Sequence, residues 1–290
     1  MFGEDVAVHS GNVELTVRDT ATRERSGGER AGPALVLVHG LASNLRIWDL
    51  VASRLAPRFR VVCYDQRSHG LSGDAGGEFA FDDLVSDLEA VVDDRGLDSP
   101  VVVGHSWGAS VALEYATHHP CRGVVCVDGG VFDMQAMGST WETTEELLRP
   151  PRLIGPADEV LARIRTEQSF LPWETLEPVV LRGRVSTEDG LTRPRLRFED
   201  HMTIVRRIWE HRTWELYERV RCPVMVVVAR GVERTNRERG FVAAKELAVQ
   251  QVTARRPDVR VEWLESVHDV PLANPDELAG LIEDFARVGG

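Results

Sequence analysis

The sequence has few of the features that mark nucleic-acid-binding or membrane proteins. Lysine and arginine total 34 against 46 aspartates and glutamates, a formal net charge of −12 over 290 residues. Binding to nucleic acid or an anionic membrane surface favours the opposite balance. No uninterrupted apolar stretch approaches the ~18 residues that span a bilayer. The first residues, MFGEDVAVHS, carry acids where a signal peptide carries basic residues. We expect a cytoplasmic monomer or homodimer that binds a small molecule.

Cysteine is also scarce. The four cysteines are Cys63, Cys121, Cys126 and Cys222, and no two form a CxxC motif. Cys63 and Cys126 lie inside apolar runs typical of buried strands, which favours reduced core thiols over a disulfide or a metal role. There is no HExxH motif and no dinucleotide-binding fingerprint. We therefore expect neither a metal nor a cofactor.

Short apolar runs alternate with stretches of helical periodicity. The opening segment places Val13, Leu15 and Val17 on one face, which predicts a half-buried antiparallel strand. Later runs are apolar on both sides and predict parallel strands buried on both faces. These runs cover residues 34–40, 60–65, 100–104, 123–128, 222–229 and 259–264, with helical spacing over 81–95 and 108–119. The alternation predicts an α/β fold with a mostly parallel, doubly wound sheet.

The alternation stops between about Gly129 and Val220. This region has several prolines and helix-like charged stretches but no convincing β-run. We expect a core domain of residues 1–130 and 221–290, with residues 131–220 inserted as a helical cap. Such a cap covers the C-terminal edge of the sheet, where ligands bind in open α/β folds.

The motif Gly104-His105-Ser106-Trp107-Gly108 joins an apolar strand to a helix. A serine at such a turn adopts a strained backbone conformation, and its neighbours at −2 and +2 must be small so that strand and helix can approach. The turn lifts the hydroxyl above the sheet, while the new helix directs its N-terminal amides at developing negative charge. Ser106 is the predicted nucleophile.

Over nearly its whole length the chain resembles the α/β-hydrolase-fold superfamily. Besides the serine turn, it carries His39-Gly40 after an early strand and the segment Asp65-Gln-Arg-Ser-His-Gly70, which is similar to the family's D-x-R-G-x-G loop. Ser68 stands where that loop usually has glycine, a difference that concerns loop geometry. Tryptophan after the serine resembles proline iminopeptidases and related capped hydrolases.

The resemblance implies the base and the oxyanion hole. The family places its catalytic histidine after the last strand, which here selects His268 to accept the serine proton. The backbone N–H groups of Leu41 and Trp107 would bind the oxyanion. The His39 side chain has a structural rather than a catalytic role in this interpretation.

The acid of the triad is left open between two positions. The family's usual acid follows the penultimate strand in a Gly-x-x-Asp pattern, but Arg234 occupies that position and Glu233 is its neighbour. The family's second acid position, the end of the strand after the nucleophile's helix, holds Asp128. Asp128 is the preferred prediction and Glu233 the alternative, with a dyad that lacks an acid as a further possibility.

The predicted reaction is hydrolysis of a carboxylic ester or lactone of a small, largely apolar substrate through an acyl-enzyme. Aminopeptidase, amidase or carbon–carbon hydrolase activity on the same triad are alternatives, as is a ligand receptor or non-hydrolytic biosynthetic enzyme that reuses the pocket. Serine at 106 argues against dehalogenase and epoxide hydrolase chemistry, which uses an aspartate nucleophile. The residues expected to line the pocket are His39, His105, Phe132, Met134, Trp141 and Trp173.

Overall fold

The computed structural model of the protein describes residues 3–20, 33–231 and 236–288. The strands are β1 (Val6–Ser10), β2 (Val13–Asp19), β3 (Leu35–Val38), β4 (Val61–Tyr64), β5 (Val101–His105), β6 (Gly123–Val127), β7 (Gly155–Pro156), β8 (Arg184–Ser186), β9 (Leu191–Pro194), β10 (Val224–Ala229) and β11 (Arg260–Leu264). The helices are α1 (Asp49–Leu55), α2 (Phe81–Asp94), α3 (Trp107–His118), α4 (Trp141–Leu148), α5 (Ala157–Glu167), α6 (Trp173–Arg182), α7 (Phe198–Glu210), α8 (Thr213–Arg219), α9 (Asn236–Arg255), α10 (Val270–Ala273) and α11 (Pro275–Val288).

Eight strands form the central sheet in the order β1-β2-β4-β3-β5-β6-β10-β11. β2 pairs antiparallel with both β1 and β4, and the remaining pairs are parallel. This confirms the predicted α/β fold with a mostly parallel sheet. The carboxyl ends of β5, β6 and β11 therefore meet at one edge of the sheet.

The parallel strands are buried on both faces, as their continuous apolar runs predict. Successive residues of one strand enter opposite halves of the core: Val36 and Val38 pack with α2, α3 and α9, whereas Leu35 and Leu37 pack with α1 and α11. Because side chains alternate across a strand, an apolar residue is needed at every position. The sheet is thus a rigid base for the loops at its edge.

Residues 131–220, here called the insert, lie between β6 and β10 and contain helices α4 to α8. The expectation that this region lacks β-structure is wrong, since β7, β9 and β8 form a small antiparallel sheet in that order. These strands have two to four residues each and carry arginine, serine and proline. Strands so short and polar leave no apolar run by which a sequence pattern can reveal them.

No disulfide joins the four cysteines; Cys63 and Cys126 are buried in their strands, and the Sγ atoms of Cys121 and Cys222 lie 3.3 Å apart. In the three described ranges, no helix combines the length and apolarity that a membrane crossing requires.

Candidate active site

Ser106 lies at the sharp turn between β5 and α3. Its backbone has φ +53° and ψ −120°, a conformation that non-glycine residues rarely adopt. The close approach of strand and helix explains the flanking glycines. A Cβ at Gly104 would lie 2.2 Å from the Gly108 carbonyl oxygen, and one at Gly108 would lie 2.4 Å from that of Val38. The predicted need for small residues at both positions is confirmed.

The structure brings Ser106, His268 and Asp128 together. His268 Nδ1 lies 2.7 Å from Asp128 Oδ2, and its Nε2 lies 3.0 Å from Ser106 Oγ. With Nδ1–H donating to the carboxylate, Nε2 is left as the acceptor for the serine hydroxyl. The side chain of His268 is 52% exposed, whereas that of Asp128 is 1% exposed. The arrangement couples a solvent-accessible imidazole to a buried carboxylate.

Asp128 reaches the histidine from the end of β6. Its amide donates to the Val227 carbonyl at 2.7 Å, so the residue extends the pairing of β6 with β10. Its φ of +43° then turns the chain away from the sheet, while Oδ1 accepts the Ala229 amide at 2.9 Å. Glu233, the alternative acid, lies outside the described residues.

Lys245 is a site residue that the sequence analysis missed. It is 4% exposed, and its ammonium donates to Asp128 Oδ1 at 2.7 Å, to Asp128 Oδ2 at 2.9 Å and to the Ala229 carbonyl at 2.7 Å. The sequence does contain a feature that indicates this role for Lys245. Position 245 is the only lysine in the sequence, and it shares the buried stripe of α9 with Ala248, Val249 and Val252. A lone lysine on an apolar stripe requires a buried partner.

The ion pair and the hydrogen bonds set the charges of the site. Burial raises the pKa of Asp128, but the hydrogen bond and charge of His268, together with Lys245, outweigh it and hold that pKa below its ordinary value. Desolvation lowers the pKa of His268, but the hydrogen bond and charge of Asp128 outweigh it and raise that pKa above its ordinary 6.5. The positive charge of Lys245 lowers the pKa of His268 and so partly offsets the effect of Asp128.

Three further histidines form hydrogen bonds to the backbone around the site and are not part of the Ser106–His268–Asp128 hydrogen-bond chain. His105 is 2% exposed, and its Nε2 donates to the backbone carbonyl of His268 at 2.9 Å, which ties the histidine loop to β5. His39 Nδ1 donates to the Gly40 carbonyl and its Nε2 accepts the Gln66 amide. His69 Nδ1 donates to the Arg67 carbonyl. Burial lowers the pKa of His39 and His69 to about 3, so both are neutral.

Ser68 shows why glycine usually occupies its place in this loop. Its φ is +61°, a left-handed conformation that costs a non-glycine residue strain. The side chain offers a contact that glycine lacks, since Ser68 Oγ accepts the Ala75 amide at 2.9 Å. The departure from the family pattern therefore leaves the loop conformation in place.

The two amides expected to bind an oxyanion flank the serine turn. Trp107 N is the first amide of α3, directly after Ser106, and Leu41 follows Gly40. A Cβ built on Gly40 would lie 2.9 Å from the Cβ of Ser106, so this loop passes directly beside the serine. Helix α3 also directs its positive end at the hydroxyl.

A cavity of about 700 Å³ lies beside this site. Leu41, Ala42 and Asp269 belong to its wall, and the insert supplies most of the remainder. Apolar side chains from α5 and α6 are joined there by five arginines: Arg152, Arg184, Arg193, Arg195 and Arg197. Within the described ranges, no three histidine, cysteine, aspartate or glutamate side chains gather as metal ligands would.

The residues predicted to line a pocket are not part of this wall. His39 and His105 are buried beneath the site, and Phe132 stacks against Phe241. Trp141 packs edge-on against Trp209, and Trp173 donates its indole N–H to Glu177. Met134 is half-buried at a turn after β6. The apolar part of the cavity wall comes instead from smaller residues of the insert, among them Ile164, Leu176 and Val179.

Comparison with known proteins gives the same architecture. A family model described as the alpha/beta hydrolase family matches residues 35–281. The crystal structure of E-2-(acetamidomethylene)succinate hydrolase superposes with a TM-score of 0.77 at 22% identity, covering 98% of this chain and 99% of that one. Among curated proteins, 3-oxoadipate enol-lactonase 2 of Acinetobacter baylyi is 26% identical over 51% of this chain and 56% of its own length.

A further relative is epoxide hydrolase B of Mycobacterium tuberculosis, 39% identical over 102 residues. That match covers 33% of this chain and 29% of the relative. The chain thus matches roughly a third to a half of the length of these two curated proteins.

Proposed function

Since the chain belongs to the alpha/beta hydrolase family, we propose that it is a serine hydrolase that cleaves a carboxylic ester or lactone through an acyl-enzyme. The observation that carries the proposal is the hydrogen-bond chain from Asp128 through His268 to Ser106, at 2.7 Å and 3.0 Å. Both distances lie in the range that proton transfer between a nucleophile and its base requires. A binding protein has no need of this arrangement.

In the acylation step, Ser106 Oγ forms a bond to the carbonyl carbon while its proton moves to His268 Nε2. The carbonyl π electrons move to oxygen, and the amides of Leu41 and Trp107 bind the resulting oxyanion, each contributing ~3 kcal/mol. The bond to the leaving oxygen then breaks, and His268 donates the proton to that oxygen. Asp128 keeps the imidazole oriented and stabilises its positive charge.

Deacylation repeats the same steps with water. Water attacks the acyl carbon as His268 takes its proton, the bond to Ser106 Oγ breaks, and His268 returns the proton to the serine. An ester gives an acid and an alcohol. A lactone gives a single hydroxy acid.

The chemistry of the nucleophile decides between the reactions named by the relatives. An epoxide opened by serine would leave an alkyl ether on the enzyme. The attack of water that hydrolyses an acyl-enzyme does not cleave an ether. An ester or lactone attacked by serine leaves an acyl-enzyme, which water can hydrolyse. Lactone cleavage, the reaction in the name of the Acinetobacter relative, is therefore compatible with Ser106, and epoxide hydrolysis is not.

We expect the folded protein to be labelled by a fluorophosphonate probe, because such probes react with serines activated by a neighbouring base. Labelling should be lost in Ser106→Ala and in heat-denatured protein. It should persist in Ser110→Ala, a serine on the same helix. In-gel fluorescence measures the outcome. Unlabelled wild-type protein would rule out the hydrolase and leave a ligand receptor as the interpretation.

We expect kcat/KM to fall on the acid side with an apparent pKa above 6.5, because His268 must be neutral to act as base and its pKa is raised. Lys245→Met should move this acid limb to higher pH, since the positive charge of Lys245 lowers the pKa of His268.

Lys245→Arg, which keeps the charge, is the matched control, and pH–rate profiles of the three proteins make the comparison. A profile of Lys245→Met that coincides with wild type would show that Lys245 has only a structural role.

A further inference from the structure

The wall of the cavity beside Ser106 is positively charged, although the protein as a whole is negatively charged. The chain carries a net charge of −12, yet five arginines and two acids, Glu199 and Asp269, belong to the wall. The wall also contains Leu41, whose amide belongs to the proposed oxyanion hole. The arginines and Leu41 therefore belong to the wall of one cavity.

Three of the five arginines lie in or next to the small antiparallel sheet of the insert. Arg184 begins β8, Arg193 lies in β9, and Arg195 follows β9 with its amide bonded to the Gly183 carbonyl at 2.8 Å. Backbone pairing between β8 and β9 fixes the spacing of these side chains. The guanidiniums thus project from a defined framework of strands.

Four of the five arginines form no ion pair with a carboxylate of the described residues. Arg197 is neutralised, since it contacts Asp74 and Asp200. Arg184, by contrast, is half-buried, and its donors to the described part of the chain reach only neutral oxygens, those of Thr192 and the Leu153 carbonyl. Burial lowers the pKa of Arg184, and no carboxylate of the described residues opposes this shift. A partly desolvated guanidinium without a counter-charge costs free energy unless a ligand supplies the charge.

We propose that the substrate carries a carboxylate, and that Arg184 and Arg195 bind it at the insert side of the cavity while its ester or lactone carbonyl lies at Ser106. This proposal rests on the proposed serine hydrolase function. Arginine suits the role because its planar N–H donors match the two oxygens of a carboxylate. The apolar walls from Ile164, Leu176 and Val179 accept the carbon chain between the two polar ends.

The test uses two p-nitrophenyl esters of equal chain length, the hexanoate and the hydrogen adipate. They differ only in a terminal carboxylate. We expect kcat/KM to be about tenfold higher or more for the adipate ester, since a charge-assisted hydrogen bond contributes about 1.5–3 kcal/mol. A ratio of one or below would overturn the proposal.

Variants assign the preference to residues. Arg184→Gln and Arg195→Gln should each reduce the adipate-to-hexanoate ratio about tenfold, and Arg184→Lys should restore part of it. Arg163→Gln, at an exposed arginine of α5 paired with Glu167, is the control and should keep the wild-type ratio. A preference that survives in both glutamine variants would show that other groups bind the carboxylate. If one variant fails to fold, the other still tests the proposal.

A competition experiment separates this proposal from the proposed function. Adipate should protect Ser106 from fluorophosphonate labelling, whereas uncharged adipamide should not. Normal labelling with equal protection by both compounds would reject the carboxylate site and leave the serine hydrolase standing. Absence of labelling would reject the hydrolase itself.

Discussion

Ser106→Ala is expected to lower kcat for ester hydrolysis by roughly 10⁶-fold, to the level that the oxyanion hole and binding alone provide. The hydroxyl is the group that forms the acyl-enzyme, and alanine offers no atom to replace it. The fold should be unaffected, since alanine is isosteric apart from the hydroxyl and Ser106 Oγ bonds only to His268 among the described residues. Steady-state release of p-nitrophenol measures the loss.

Mass spectrometry supplies an independent check on the same step. A poor substrate mixed with wild-type protein should add one acyl group to the peptide that contains Ser106. Ser110→Ala should acylate normally. Hydrolysis that continues at the wild-type rate in Ser106→Ala would exclude a covalent route through this residue.

Asp128→Asn is expected to lower kcat by roughly 10⁴-fold, because the amide no longer holds His268 in the tautomer whose Nε2 accepts the serine proton. The variant also leaves the Lys245 ammonium buried without its counter-charge, which destabilises the fold by about 3–5 kcal/mol. Loss of activity and loss of stability must therefore be separated.

The double variant Asp128→Asn/Lys245→Met makes that separation. Removing both charges restores neutrality in the core, so the melting temperature should recover towards the wild-type value while kcat stays low. Glu233→Gln should have a far smaller effect on kcat than Asp128→Asn. The reverse order would identify Glu233 as the acid.

Local patterns predict the parts of the site that local geometry creates. The turn at Ser106 needs a strand, two small residues and a helix within a few positions of one another, and all of these are adjacent in the sequence. The same holds for the sheet, because burial of β3, β5 and β6 on both faces requires the apolar runs that mark them. The strand-to-helix order then decides which ends meet at one edge.

Local sequence patterns do not predict contacts between distant segments. Asp128 and Lys245 are 117 residues apart, and nothing near either one indicates the other. The β8–β9 hairpin escaped prediction because its strands are short and polar. The wall of the cavity contains Arg184 and Arg193 of this hairpin, whereas Phe132, Met134, Trp141 and Trp173, predicted to line the pocket, are not part of it.

The sequence by itself determined the α/β fold and singled out Ser106 and His268, because a strained strand-to-helix turn and a histidine after the last strand are local features. It left two positions open for the acid. Only the tertiary structure decided which residue contacts His268, since the pairing of β6 with β10 and the packing of α9 bring Asp128, His268 and Lys245 within hydrogen-bond distance. The role of the cavity arginines also depends on the tertiary structure, because only the fold determines which carboxylates and neutral groups surround each guanidinium.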